Sequence, residues 1–260
     1  MTDLQSESVL LASTTDRQSS STAPYSLLVA GTGHEVRAAQ RLRYQVFAEE
    51  MGAHVTGDTG TETDAFDEFC DHLIVRDDRT GAVVGTYRML PPARAAEAGR
   101  LYSESEFDLT ALDELRPALV EAGRSCVHRE HRSGAAVGLV WAGIARYMLL
   151  SGHRWLAGCA SVPLSDGGAL AARVWDTVSA RHYVPEPYRV RPHLPWKADP
   201  TASVRKGPLP PLLRGYLRLG AWVCGPPAHD PDFGVADFFV LLDLERMDQR
   251  YLKYFLGTAA

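Results

Sequence analysis

Six charged residues sit where charge is costly, and their types suit proton transfer and ionic recognition. Glu121 and Arg124 interrupt an apolar run from Ala118 to His128, and Arg88 stands just before Pro91-Pro92. Asp64 and Asp67 flank Phe66, and Arg43 lies beside Val46-Phe47. A carboxylate can take a proton or hold a cationic amine, and a guanidinium fork matches a carboxylate in bidentate geometry. The plainer reading of each is a surface ion pair. Glu121 and Arg124 are three apart, so on a regular strand they face opposite sides unless a bulge intervenes.

A second group lies just beyond. Cys126-Val127-His128 leads through Arg132-Ser133-Gly134-Ala135-Ala136 into a long apolar-periodic stretch. A strand entering a helix through a Gly- and Ala-containing loop leaves backbone N–H groups pointing outward, where an anion such as phosphate is favoured. A simple turn is the alternative. Other motifs drop out. Gly31-Thr32-Gly33 lacks both the third glycine of a dinucleotide loop and the Lys-Ser/Thr of a P-loop. Ser161 follows Gly158-Cys159-Ala160, which is not a nucleophile elbow. His128 and His131 have no H-E-x-x-H context, and Cys70, Cys126, Cys159 and Cys224 form no C-x-x-C pair. Neither a metal site nor a disulfide framework is expected, and the cysteines read as buried free thiols.

The elements that must position these residues are legible in outline. Ser26 to Ala30 reads as a strand, Glu35 to Met51 as a helix capped by Gly52, and residues 71–76 and 82–90 as a hairpin. Residues 118–128 make the next strand, 135–150 a helix and 154–160 a further strand. The last third is less regular, with strands expected at 220–224 and 236–242 and a helix from Glu245 to about Phe255. Residues 1–24, dominated by Ser and Thr, read as a disordered leader without the basic start and apolar core of a secretory signal. Residues 25–260 read as one domain, with an elaborated end from about 165. The order implies an α/β fold with a mixed, bent central sheet and helices on both faces.

Composition narrows the function classes. The chain has 260 residues, 45% apolar and 23% charged, with a net charge of -5. That excludes a collagenous or wholly disordered protein and speaks against a dedicated nucleic-acid binder. No apolar run is long enough to span a bilayer. A cytoplasmic location is expected, with the inner membrane face as a peripheral site.

Several segments occur together in a recognisable order: Arg41–Phe47, Asp64–Asp67, Cys70–Val75, Tyr87–Leu90 and Glu121–His128. With Gly158–Pro163, Pro211–Gly220 and Asp230–Phe238, they resemble the bacterial ornithine acyl-ACP N-acyltransferases of ornithine-lipid synthesis over about residues 26–256. The wider resemblance is to the GNAT acyltransferase fold with a C-terminal extension, and to acyl-homoserine-lactone synthases. The latter share R-x-x-V-F, D-x-F/Y-D and E-x-x-R, matched by Arg43/Val46/Phe47, Asp64/Phe66/Asp67 and Glu121/Arg124. The GNAT phosphate pattern is altered, because His131 fills its first position while Gly134 and Ala136 stand in place.

The resemblance implies transfer of a long-chain fatty acyl group from the phosphopantetheine of an acyl carrier protein, or from coenzyme A, to the α-amine of ornithine. The product is lyso-ornithine lipid, and no tightly bound cofactor is expected. Glu121 is the expected base, since a carboxylate in an apolar strand has a raised pKa. The N–H near Val127 stabilises the oxyanion, and His128 with Arg132, Ser133, Gly134, Ala135 and Ala136 holds the donor. Asp64 and Asp67 bind the cationic acceptor, with Arg43, Arg88 or Arg124 on its carboxylate and Phe47 beside it. Alternatives are an acyl-homoserine-lactone-type synthase, a transferase for another amine, and a non-catalytic module that binds acyl carrier protein or lipid.

Charge distribution suggests a partner. Between Arg173 and Arg218 stand nine basic residues against Asp176, Glu186 and Asp199, in a chain that is acidic as a whole. Arg189, Arg191, Lys197, Arg205 and Lys206 are expected to dock the acidic carrier protein or an anionic membrane surface.

Overall fold

A computed structural model describes residues 7–14, 24–132, 134–198 and 208–247. In chain order the elements begin with β1 (Val9–Ser13), β2 (Tyr25–Val29), α1 (Gly33–Tyr44), β3 (Asp71–Asp77) and β4 (Val83–Leu90). Next come α2 (Pro92–Ala98), β5 (Phe107–Asp108), β6 (Leu119–Val127), α3 (Gly134–Ser151), β7 (Trp155–Pro163) and α4 (Ala169–Arg181). The chain continues through β8 (Arg191–Pro192), α5 (Pro211–Arg218), β9 (Trp222–Val223), β10 (Ala228–Asp230) and β11 (Val235–Asp243). The described residues divide into two compact units, one drawn from 7–94 and 122–152, the other from 95–121 and 153–247. β6 therefore begins in the second unit and ends in the first.

In the first unit β1, β2, β3 and β4 form antiparallel neighbours in that order. Leu27 and Leu28 are adjacent on β2 and so face opposite ways. Leu28 packs with Ala39 of α1 and Ile74 of β3. Leu27 lies so close to Gly143 of α3 that a Cβ there would come within 2.3 Å of it. The two helices thus cover opposite faces. Thr32 caps α1 in a capping box with Glu35, whose carboxylate also accepts from Ser8 Oγ at 2.8 Å. The helix ends in a π-helical stretch, Gln45–Glu50, that buries Val46 and Phe47, and Gly52 at φ 74° closes it.

In the second unit the first residues of β6 run parallel to β7, pairing Leu119–Glu121 with Trp155–Ala157. β7 then pairs antiparallel along its whole length with β11, from Val235↔Pro163 to Asp243↔Trp155. β10 and β9 flank β11, and β5 pairs with β8. Every residue of β11 is buried, as a strand covered on both faces must be.

Two expectations change. Val9–Ser13, which composition assigns to a structureless leader, forms β1, because Leu11 and Ala12 are buried and the strand pairs with β2. The two compact units leave the expectation of one domain from residue 25 as it stands. Helices α2, α4 and α5 are additions to the expected elements, and α4 lies where the sequence is irregular in pattern. The expected C-terminal helix shows one 3-10 turn at Leu244–Arg246, and its remainder lies outside the described residues. Of the thiols, Cys126 and Cys224 are buried, while Cys70 and Cys159 are partly accessible. No helix among the described residues is long and apolar enough to cross a membrane.

Candidate active site

The charged residues singled out in the first unit converge, but on one another. Arg43, in the last turn of α1, donates to Asp67 Oδ1 at 2.9 Å, Asp67 Oδ2 at 2.6 Å and the Glu62 carbonyl at 2.7 Å. Its Nε pairs with the Glu62 carboxylate. Arg88 of β4 donates to Asp64 Oδ1 at 2.6 Å and Asp67 Oδ1 at 2.9 Å. Arg124 of β6 reaches Glu62 Oε1 at 2.9 Å and Asp64 Oδ2 at 3.1 Å. Three guanidinium groups thus meet three carboxylates, with Arg43, Glu62 and Arg88 almost wholly buried. Gln40 Nε2 also donates to Asp67, and His72 Nε2 lies 3.0 Å from the Asp67 carbonyl.

Such a network is costly to break, since a lone charge left behind is worth about 3–5 kcal/mol of destabilisation. Burial raises the carboxyls of Asp64 and Asp67, but ion pairs with Arg88 and Arg124 and with Arg43 and Arg88 outweigh it. Asp64 ends below the usual carboxylate range and Asp67 well below it. Glu62 escapes sequence reasoning because it lies in a Gly-, Thr- and Asp-rich loop; its only signal is the two-residue spacing from Asp64. Phe47 is buried in the π-helical stretch, close in sequence to Arg43.

Arg124 has φ 53°, the one left-handed non-glycine backbone among the described residues. β6 is therefore irregular at the point where Glu121 and Arg124 needed a bulge to act together.

Glu121 belongs to the second unit and is buried. Its Oε2 accepts from the Tyr102 N–H at 2.6 Å and its Oε1 from the Ser103 N–H at 2.8 Å. The apolar surroundings expected from the strand are thus replaced, at the carboxylate itself, by two backbone donors. Ser103 Oγ lies 3.4 Å from Cys159 Sγ. Burial and the nearby Glu106 and Asp237 carboxylates push that thiol well above its ordinary pKa. Glu106, Asp230 and Asp237 bring carboxylate oxygens within 4.8 Å of one another, an oxygen set of the kind hard cations take. No metal is expected there from the sequence.

The loop expected to hold the acyl donor lies in the first unit. The His128 N–H bonds to the Val84 carbonyl, and His131 Nδ1 lies 2.9 Å from the Tyr25 hydroxyl. Arg132 donates through Nε to the Val127 carbonyl at 3.0 Å and bidentately to Glu50 at 2.6 and 2.8 Å. Gly134 begins α3, with Ala135 and Ala136 in its first turn; Ser133 lies outside the described residues. The 18-residue helix directs its dipole and first N–H groups to this end. A groove of about 880 Å³ along α1, lined by Glu35, Arg41, Arg76 and Asp78 among others, includes none of the residues singled out.

Of the expected docking residues, Arg189 lies over the Tyr183 ring at 5.1 Å, and Arg191 and Lys197 are exposed. Arg205 and Lys206 lie outside the described residues.

Residues 42–142 match the acetyltransferase (GNAT) domain. The L-ornithine N(alpha)-acyltransferase of Rhodobacter capsulatus is 36% identical over 246 residues, 89% of this chain and 94% of the relative. The enzyme of the same name from Rhizobium meliloti is 38% identical over 253 residues, 89% of this chain and 84% of the relative. Among solved structures, a CoA-dependent acyl-homoserine lactone synthase matches with TM-score 0.53 at 18% identity, covering 88% and 85% of the two chains. An N-acyl amino acid synthase from uncultured soil microbes matches with TM-score 0.54 at 13% identity, covering 88% and 94%. These structural likenesses bear on the fold. The sequence identity, sustained along most of both chains, carries the assignment: this chain belongs to the L-ornithine N(alpha)-acyltransferase family and is an amide-forming acyltransferase of the GNAT fold.

Proposed function

We propose that the protein moves a long-chain fatty acyl group from acyl carrier protein thioester to the α-amine of ornithine, giving lyso-ornithine lipid. The observation that carries this reading is the 36% identity to the Rhodobacter enzyme over 94% of that enzyme's length. In the reaction the amine nitrogen attacks the thioester carbonyl. A C–N bond forms, the C–S bond breaks, and the carrier's thiolate leaves and takes up a proton.

Each step needs a group this chain offers. Glu121, held in place by the Tyr102 and Ser103 N–H groups, takes the ammonium proton directly or through a water. The Val127 N–H stabilises the oxyanion of the tetrahedral intermediate. The start of α3, with His128, Arg132, Ser133, Gly134, Ala135 and Ala136, holds the single phosphate of phosphopantetheine. Asp64, Asp67, Arg43, Arg88 and Arg124 frame this end of β6 through their mutual ion pairs. The basic segment with Arg189, Arg191, Lys197, Arg205 and Lys206 meets the acidic carrier protein. A cytoplasmic location with peripheral contact at the inner membrane face belongs to the same reading, since carrier protein and lipid product meet there.

The test supplies long-chain acyl carrier protein thioester or acyl-CoA with ornithine, lysine or S-adenosylmethionine, and identifies products by mass. N-acyl-ornithine formed preferentially from the carrier thioester supports the proposal. Preference for acyl-CoA overturns the donor, and formation of another acyl-amine or an acyl-homoserine lactone overturns the acceptor.

A further inference from the structure

The left-handed backbone of Arg124 sits in the middle of a strand, on a residue whose Cβ is disfavoured there. Gly123, the preceding residue, could adopt that conformation without strain, yet Arg124 occupies it. Its side chain is spread between two carboxylates, Nε on Glu62 and Nη2 on Asp64. Those carboxylates are anchored in turn: Glu62 pairs with Arg43, while Asp64 accepts from Arg88 and from the Phe66 N–H at 2.8 Å. The fork of Arg124 is therefore gripped by a loop that is itself gripped by α1 and β4.

Three residues on, the Val127 carbonyl accepts from Arg132 Nε and the His128 N–H bonds to Val84. A left-handed residue inside a strand rotates the later half of the strand relative to the earlier half. The rotation at Arg124 thus sets the direction of the peptide groups at Cys126 and Val127.

We infer that Arg124 is a positioning residue whose ion pairs with Glu62 and Asp64 hold the left-handed turn of β6 and so aim the Val127 N–H. The inference rests on the proposed function, in which that N–H faces the thioester oxygen. It gives Arg124 a role other than contact with the acceptor's carboxylate.

Backbone preference separates the two roles. Glycine and, to a lesser degree, asparagine adopt the left-handed conformation without a clamp, whereas alanine and lysine do not. Loss of Arg124 leaves Glu62 with Arg43 and Asp64 with Arg88, so neither carboxylate is orphaned. Arg124→Gly, Arg124→Asn, Arg124→Ala and Arg124→Lys are compared with wild type for kcat and KM with carrier thioester and ornithine. Arg124→Ala and Arg124→Lys are expected to lose about tenfold or more in kcat, with KM for ornithine within about twofold. Arg124→Gly and Arg124→Asn are expected within about threefold of wild-type kcat.

The inference is overturned if Arg124→Lys is the best of the four, or if Arg124→Gly is as poor as Arg124→Ala. It is also overturned if KM for ornithine rises in all four while kcat holds, which marks contact with the acceptor. Thermal unfolding gives an independent reading: glycine and asparagine variants should melt above alanine and lysine variants, and the reverse order overturns the clamp. A wild-type protein that makes no acyl-ornithine defeats the proposed function, and the melting order still decides whether Arg124 clamps the turn.

Discussion

At the scale of single residues, Glu121 joins an observed duty to a proposed one. Its carboxylate accepts the Tyr102 and Ser103 N–H groups and so ties down the start of the 3-10 turn at Tyr102–Ser105. In the proposed mechanism it also takes the ammonium proton. Glu121→Gln removes the proton acceptor and turns an amide NH2 toward one of the two backbone donors. Acyl-ornithine formation is expected to fall by about a hundredfold or more. The pH–rate profile distinguishes the duties. If Glu121 is the base, the variant loses the acid limb of the profile; if it only braces the turn, the limb persists at a lower rate.

At the scale of elements, α1 shows how local sequence and distant contacts reinforce each other. Thr32 and Glu35 form the capping box that Thr-x-x-Glu spacing announces. Burial raises Glu35, but hydrogen bonds from Ser8, Gly31 and Thr32 outweigh it and hold the carboxyl below its ordinary pKa. The cap fixes where α1 begins, and its last turn delivers Arg43 to Glu62 and Asp67. Thr32→Ala is expected to cost about 1 kcal/mol, seen as a fall of about 2–4 °C in Tm. An unchanged melting temperature would show that the tertiary contacts of α1 hold its start without the cap.

At the scale of the whole molecule, charge is handled in two opposite ways. In the first unit it is buried and balanced, which makes that unit sensitive to acid. Asp64 and Asp67 are depressed in the folded state, so their contribution is present above the unfolded value of 3.8 and lost as pH falls through the folded values. His72 is also depressed, chiefly by burial. The unfolded chain takes up its proton at a higher pH than the folded chain, so stability falls as pH drops below 6.5 too. Urea midpoints measured across pH should decline below about 6.5 and again below about 4. His72→Asn should remove the first decline and leave the second.

In the second unit Arg189, Arg191 and Lys197 of the basic segment are exposed, as residues that dock an acidic partner would be. Charge reversal at Arg205 and Lys206 should raise KM for carrier thioester and flatten its salt dependence, with single-turnover chemistry nearly unchanged. A double variant with wild-type KM and salt response would remove the segment from partner binding.

Much of the molecule is written in local pattern. Apolar runs on either side of the turn at Asp77–Gly81 place the β3–β4 hairpin, and helical periodicity places α1 and α3, because these signals lie within a few consecutive residues. The order of short motifs identifies the acyltransferase family. What the sequence could not determine were the partners of each charge. Asp64 and Asp67 read as receptors for a cationic substrate, because a carboxylate looks the same whether it meets an amine or an arginine. Only folding brings Arg43, Arg88 and Arg124, spread over 82 positions of the chain, onto Glu62, Asp64 and Asp67. Likewise, nothing local marks Arg124 as left-handed, since its intrinsic preference is the opposite; carboxylates some sixty residues away hold it there. Val9–Ser13 is a strand for the same reason: its five residues cannot hold an extended form alone, and pairing with β2 supplies what they lack.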